Sequence, residues 1–252
     1  MPLAGEVTNP NALETRGVTF QSDGAAIRAY LARPKAPGTY PAVIVLHEAF
    51  GLVEHERDVA RRFANAGFIA LAPDIYSRAG APKNASDMTE VRAKMFGLPD
   101  AQLVRDFEAA AAFVCAQPGA SGKVGCVGGR WTLLFAGSSD KLDAAIDCWG
   151  GFIARATPDA ATTPERPTPV IDLAPLLHCP LYIVCGEEDQ NPSPADAAEL
   201  GRRLEEAGKN FQIEIFKNAG HAFFADYRPS YRETAAFDLW PKMVAFFHTH
   251  LG

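Results

Sequence analysis

The sequence predicts an α/β fold in a single domain, with a mostly parallel central sheet and helices on both faces. Two observations carry this expectation. Pro41-Ala-Val-Ile-Val-Leu46 is a continuous apolar, β-branched run, the composition of a strand buried on both faces of a parallel sheet. Segments of strand and helix character then alternate to the end of the chain, the pattern that builds such a sheet. The 252 residues, read as one domain over 1–252, suffice to bury a sizeable core.

The elements follow in order. Alternating runs from Val18 to Arg33, broken by Ser22-Asp23-Gly24, predict an opening β-hairpin at a sheet edge. After the central strand at 41–46, the charged stretch from Glu54 to Ala66 places Val59, Phe63 and Ala66 on one helical face and closes at Gly67. Phe68 to Leu71 follows as a strand, and Ala101 to Ala116 as a helix ending near Pro118-Gly119. A short apolar stretch around Lys123-Val-Gly125 leads to a helix from Arg130 to Ala136. Further strands are expected at Ala144–Cys148, Leu181–Cys185 and Gln212–Phe216, with helices at Ala195–Ala207 and Glu233–His248. The Thr- and Pro-rich stretch from Ala154 to Thr168 has no period and reads as a surface loop.

Composition narrows the function. A net charge of −6 without a basic cluster argues against nucleic-acid binding. No run approaches the roughly 18 apolar residues of a membrane span, and the first residues lack the basic and apolar blocks of a secretory signal, so a cytoplasmic protein is expected. The five cysteines form no CxxC pair, and four of them read as buried thiols. His47, Glu48 and His55 do not have HExxH spacing, and Gly128-Gly129 is not a phosphate loop, so neither a metal nor a cofactor is expected. The expected partner is a small molecule, bound by a monomer or a homodimer.

Ligands of open α/β sheets gather at the carboxyl ends of the strands. Four sequence sites fall there: His47-Glu48-Ala49-Phe50-Gly51, Pro73-Asp74-Ile75-Tyr76-Ser77-Arg78, Gly186-Glu-Glu-Asp189, and Ala219-Gly220-His221. A nucleophile is sought in Val124-Gly125-Cys126-Val127-Gly128-Gly129, where small residues crowd a cysteine between a strand and a helix. A thiolate there would be stabilised by an imidazole and by the positive end of the helix. Asp189 would orient His221, and the chain order nucleophile, acid, histidine is that of α/β-hydrolases. Backbone N–H groups of Val127 and Ala49 are the expected oxyanion donors. The bland alternatives are a buried structural Cys126 and an Asp189 that caps the following helix.

On these residues the chain resembles the dienelactone hydrolase, or carboxymethylenebutenolidase, family. The resemblance rests on His47-Glu48-Ala-Phe-Gly51, Ala72-Pro-Asp-Ile-Tyr76, Cys126-Val-Gly-Gly-Arg130, Gly186-Glu-Glu-Asp189 and Gly220-His-Ala-Phe223, and it spans nearly the whole chain. It implies an α/β-hydrolase that opens a small lactone or ester by a Cys-Asp-His triad through an acyl-enzyme, with Glu48 activating Cys126. It also implies arginines that hold a substrate carboxylate, for which Arg78 is the candidate and Arg92 and Arg228 are further choices. The family pattern has about four more residues before its cysteine than this chain has between Gly122 and Cys126, roughly 13 Å of strand. Either residues 119–125 are drawn in as the strand with Cys126 at the turn, or the turn is deformed and the nucleophile is lost. The second outcome would leave a non-catalytic binding or scaffold protein of the same fold.

Overall fold

The computed structural model describes residues 2–154 and 162–252. Eight strands form one sheet in the order β1-β2-β4-β3-β5-β6-β7-β8. The antiparallel hairpin β1 (Leu13–Ser22) and β2 (Ala25–Pro34) occupies one edge, turning at Asp23-Gly24, both with positive φ (41° and 71°), as a two-residue hairpin turn requires. β2 runs antiparallel to β4 (Ile69–Pro73). From β4 onward, β3 (Tyr40–Val45), β5 (Ala120–Gly128), β6 (Ala144–Cys148), β7 (Leu181–Gly186) and β8 (Phe211–Phe216) are all parallel.

Helices cover both faces and split the core in two. α3 (Asp100–Cys115), α4 (Arg130–Ser138) and α5 (Pro194–Glu206) pack on one face through Phe107, Phe135 and Leu200. α1 (Glu54–Asn65) and α6 (Glu233–Leu251) pack on the other through Phe63, Phe247 and Met243. α6 comes so close that a Cβ on Gly125 would lie 2.5 Å from the Phe247 ring. The predicted strands and helices are all present.

Two 3-10 turns, Pro10–Ala12 and Val170–Leu176, and one α-helix were not foreseen. α2 (Met88–Phe96) has too little amphipathic character to stand out, although Asp87 caps it by accepting from Thr89 N (2.9 Å) and Glu90 N (3.2 Å), and Asp87-x-x-Glu90 is a legible start signal. The loop expected at 154–168 lies partly outside the described residues. Its end includes a short turn in which Arg166 N donates to Thr163 O (3.0 Å).

Candidate active site

Asp189 and His221 are brought together by two loops pressed against each other at the carboxyl edge. Asp189 follows β7 and His221 follows β8. A Cβ on Gly186 would lie 2.3 Å from Ala219 O, so only glycine lets these loops approach. Glu188 N then donates to Ala219 O (2.9 Å) and Glu187 N to Phe216 O (2.9 Å). Phe223, buried beside the histidine, anchors its loop against Trp149 and Phe216, each with ring centroids 5.0 Å away. Asp189 is buried, and its Oδ1 accepts from Asn191 N (2.9 Å). Its Oδ2 lies 3.0 Å from His221 Nδ1. The imidazole is 43% exposed at a cavity of about 490 Å³ that both residues line. With Nδ1–H directed at the carboxylate, Nε2 is the position that takes a proton.

The β5–α4 turn differs from what the sequence suggested. β5 recovers its length from Ala120–Lys123, but the turn falls at Gly128-Gly129, two residues beyond Cys126. The reason is register. Ile44 pairs with Cys126, Val45 with Val127, and Leu46 N donates to Val127 O (2.8 Å), so the strand stays in the ladder until β3 ends. It turns where glycine permits: Gly128 has φ +155°, and a Cβ there would meet Leu46 Cβ and O at 2.9 Å. Cys126 therefore sits inside the strand, on the same face as Val124, fully buried among the α3–α4 core. Its Sγ lies 3.6 Å from Thr132 Oγ1, and it does not line the cavity that His221 lines. Burial pushes the thiol up to about 12.

Three further expectations are corrected. Val127 cannot offer its N–H to a ligand, because in a strand N–H and C=O of one residue face the same neighbour, and its carbonyl is bonded to β3. Glu48 reaches no thiol: its Oε2 accepts from Arg228 Nη1 (2.8 Å) and Tyr227 OH (3.2 Å). Arg78 turns away from the cavity to the Asp106 carboxylate, with Nε 3.0 Å from Oδ2 and Nη2 2.9 Å from Oδ1. Ala49 does line the cavity, and Tyr76 OH holds its loop by donating to Ala49 O (2.9 Å).

Among the described residues, the arginines at the cavity are Arg92, Arg130 and Arg228. Arg130 is held by the Asp100 carboxylate through two bonds of 2.8 and 2.7 Å, and Arg228 by Glu48. Arg92, on α2, is exposed and makes no ion pair among the described residues. His47 is a structural pin. Its Nδ1 lies 2.6 Å from Glu48 O, its Nε2 accepts from Ile75 N (2.9 Å), and burial lowers its pKa to about 4, so it is neutral. Among the described residues no His, Cys, Asp and Glu cluster is placed to hold a metal ion, and no helix is long and apolar enough to cross a membrane.

The model of the dienelactone hydrolase family matches residues 27–251. A protein of Escherichia coli (strain K12) named "Putative carboxymethylenebutenolidase" is 34% identical over 261 residues, covering 100% of this chain and 93% of the relative. A relative of the same name from Salmonella typhimurium is 33% identical over 259 residues, covering 100% and 94%. A crystallised "Putative Dienelactone Hydrolase" from Klebsiella pneumoniae subsp. pneumoniae MGH 78578 superposes with a TM-score of 0.87 at 32% identity, over 94% of this chain and 99% of the other. An α/β-hydrolase sheet with an acid–histidine pair at its carboxyl edge and a match along nearly its full length therefore places this chain in the dienelactone hydrolase family.

Proposed function

We propose that the protein hydrolyses small carboxylic esters or lactones and that water, activated by His221, attacks the carbonyl directly. The observation that carries this reading is the 3.0 Å contact between Asp189 Oδ2 and His221 Nδ1 at the cavity. A base oriented by a buried carboxylate and open to a cavity can take a proton from water. The water oxygen bonds to the carbonyl carbon while its proton passes to His221 Nε2. Collapse of the tetrahedral intermediate breaks the C–O bond, and His221 returns the proton to the departing alkoxide. The first N–H groups of a helix have no intrahelical acceptor. Those of Arg130 and Trp131, whose residues line the cavity, are suited to the oxyanion, together with Ala49 N. This route needs no acyl-enzyme on Cys126, whose raised pKa and position within the core oppose nucleophilic attack.

A second reading is a binding protein that has lost turnover. It is favoured by the cavity wall, which among the described residues includes no Ser or Thr and a single thiol, Cys148, whose Sγ lies 3.9 Å from Met243 Sδ. Hydrolysis of an activated aryl ester and of a dienelactone, followed from the first turnover, separates the readings. Direct attack by water gives turnover without a burst of leaving group, unchanged by Cys126→Ala and abolished by His221→Ala. Folded protein with no turnover supports the binding role. A stoichiometric burst lost in Cys126→Ala would restore the acyl-enzyme.

A further inference from the structure

The cavity continues from the acid–base pair onto the α1–α6 face of the sheet. Its wall there is made by Val45, Val59, Phe63, Val127, Cys148 and Met243, contributed by β3, α1, β5, β6 and α6 and all buried. The adjoining turn carries no side chain, because Gly128 and Gly129 both line the cavity and a Cβ on Gly129 would already touch Gly150 Cα at 3.4 Å. Of the charged groups lining the cavity, Glu48 pairs with Arg228, Asp189 with His221 and Arg130 with Asp100, while Arg92 on α2 is exposed and makes no ion pair among the described residues.

Two polar side chains of α1 line the cavity beside this wall, His55, whose Nδ1 lies 3.4 Å from Asp226 Oδ1, and Glu56. Glu56 stands on the same face of α1 as Val59 and Phe63, at positions i, i+3 and i+7. It is 3% exposed, its Oε2 accepts from Val53 N (3.2 Å), and its Oε1 has no partner among the described residues. A carboxylate arriving beside it would place two acids in a poorly solvated space, which costs free energy.

We propose that this apolar lobe is the specificity site, and that it takes an uncharged, unbranched hydrocarbon chain of the ester or lactone rather than a carboxylate-bearing end. The inference rests on the hydrolase reading for the name of its ligand and on the lobe alone for its binding. Burying one methylene is worth about fourfold in affinity. Chain length should therefore be read as binding until the lobe is full.

The experiment is calorimetric titration of the full chain with straight-chain 2-alkanones of four to ten carbons, ester analogues that cannot be cleaved, and with an ω-carboxylated ketone of matched length. Affinity should rise by up to about fourfold per methylene and then level off, and the carboxylated ligand should bind at least about tenfold more weakly. Val59→Phe and Met243→Phe should move the plateau to shorter chains; where a variant fails to fold, the wild-type profile decides alone. Affinity independent of chain length, or equal binding of the carboxylated ketone, overturns the proposal. Chain-dependent binding without ester turnover keeps the lobe and removes the hydrolase reading; turnover with flat ketone binding does the reverse.

Discussion

The acid–base corner and the β5–α4 turn lie on the same edge of one sheet, yet they tolerate change differently. Asp189 and His221 come from separate loops, and their meeting depends on the β7–β8 ladder and on Gly186 letting the loops touch. Nothing in that construction counts residues before the turn. The β5–α4 turn is local: a strand held in register with β3 delivers whichever residue stands where the ladder stops. That place is taken by Gly128-Gly129, and Cys126 lies two positions inside the strand, facing the α3–α4 core. The first is set by contact between distant loops, the second by the register of one continuous segment against its neighbour.

The largest effect expected falls on the corner. His221→Ala should lower ester turnover by about 10³-fold, the scale of a lost general base; residual turnover within tenfold of wild type would place the activity elsewhere. Next comes a stability effect beneath the turn. Asp147 is buried, its Oδ1 accepts from Gly150 N (3.0 Å), and burial raises its carboxyl from 3.8 to about 8. A carboxyl raised on folding stays protonated in the native state while the unfolded chain ionises, so its contribution is complete below about pH 4 and is lost as pH rises through about 8. Asp147→Asn should flatten that decline and raise stability more at pH 7.5 than at pH 4.5. Denaturant titrations at pH 4.5 and 7.5 check it, and equal gains at both values would refute the burial argument.

Asp189→Asn tests the corner more gently. It keeps the shape but presents an amide where the carboxylate stabilised the imidazolium, and turnover should fall by about 100-fold with little change in KM. The smallest effect is the one that separates the two regions. Cys126→Ala should change turnover by less than about twofold while costing about 1 kcal/mol of stability, as removal of a buried sulfur from packed surroundings does. A large loss of turnover with unchanged stability would mean that the thiol takes part in the chemistry and that the two regions work as one.

Much of the molecule was legible before any coordinate. The 41–46 run, the Asp23-Gly24 turn and the apolar faces of α1 and α6 each carry their own local signal, through β-branching, positive φ and helical period. Asp189 and His221 were legible because each follows a recognisable strand. α2 was missed because its sequence, Met-Thr-Glu-Val-Arg-Ala-Lys-Met-Phe, has little amphipathic contrast and its inward residues line a cavity. Arg78 was misjudged because a basic residue after a strand looks the same whether it faces a ligand or, as here, Asp106.

The sequence by itself determined the order of strands and helices, the family, and the placing of Asp189 and His221 after their strands, since these depend on local periodicity and on motifs that are contiguous in the chain. The tertiary structure alone decided which way Cys126 points, that Glu48 is spent on Arg228, and that the cavity opens onto the α1–α6 face. Side-chain direction in a strand alternates with every residue, so it is set by the register against a partner strand, and register is a relation between segments that neither carries by itself.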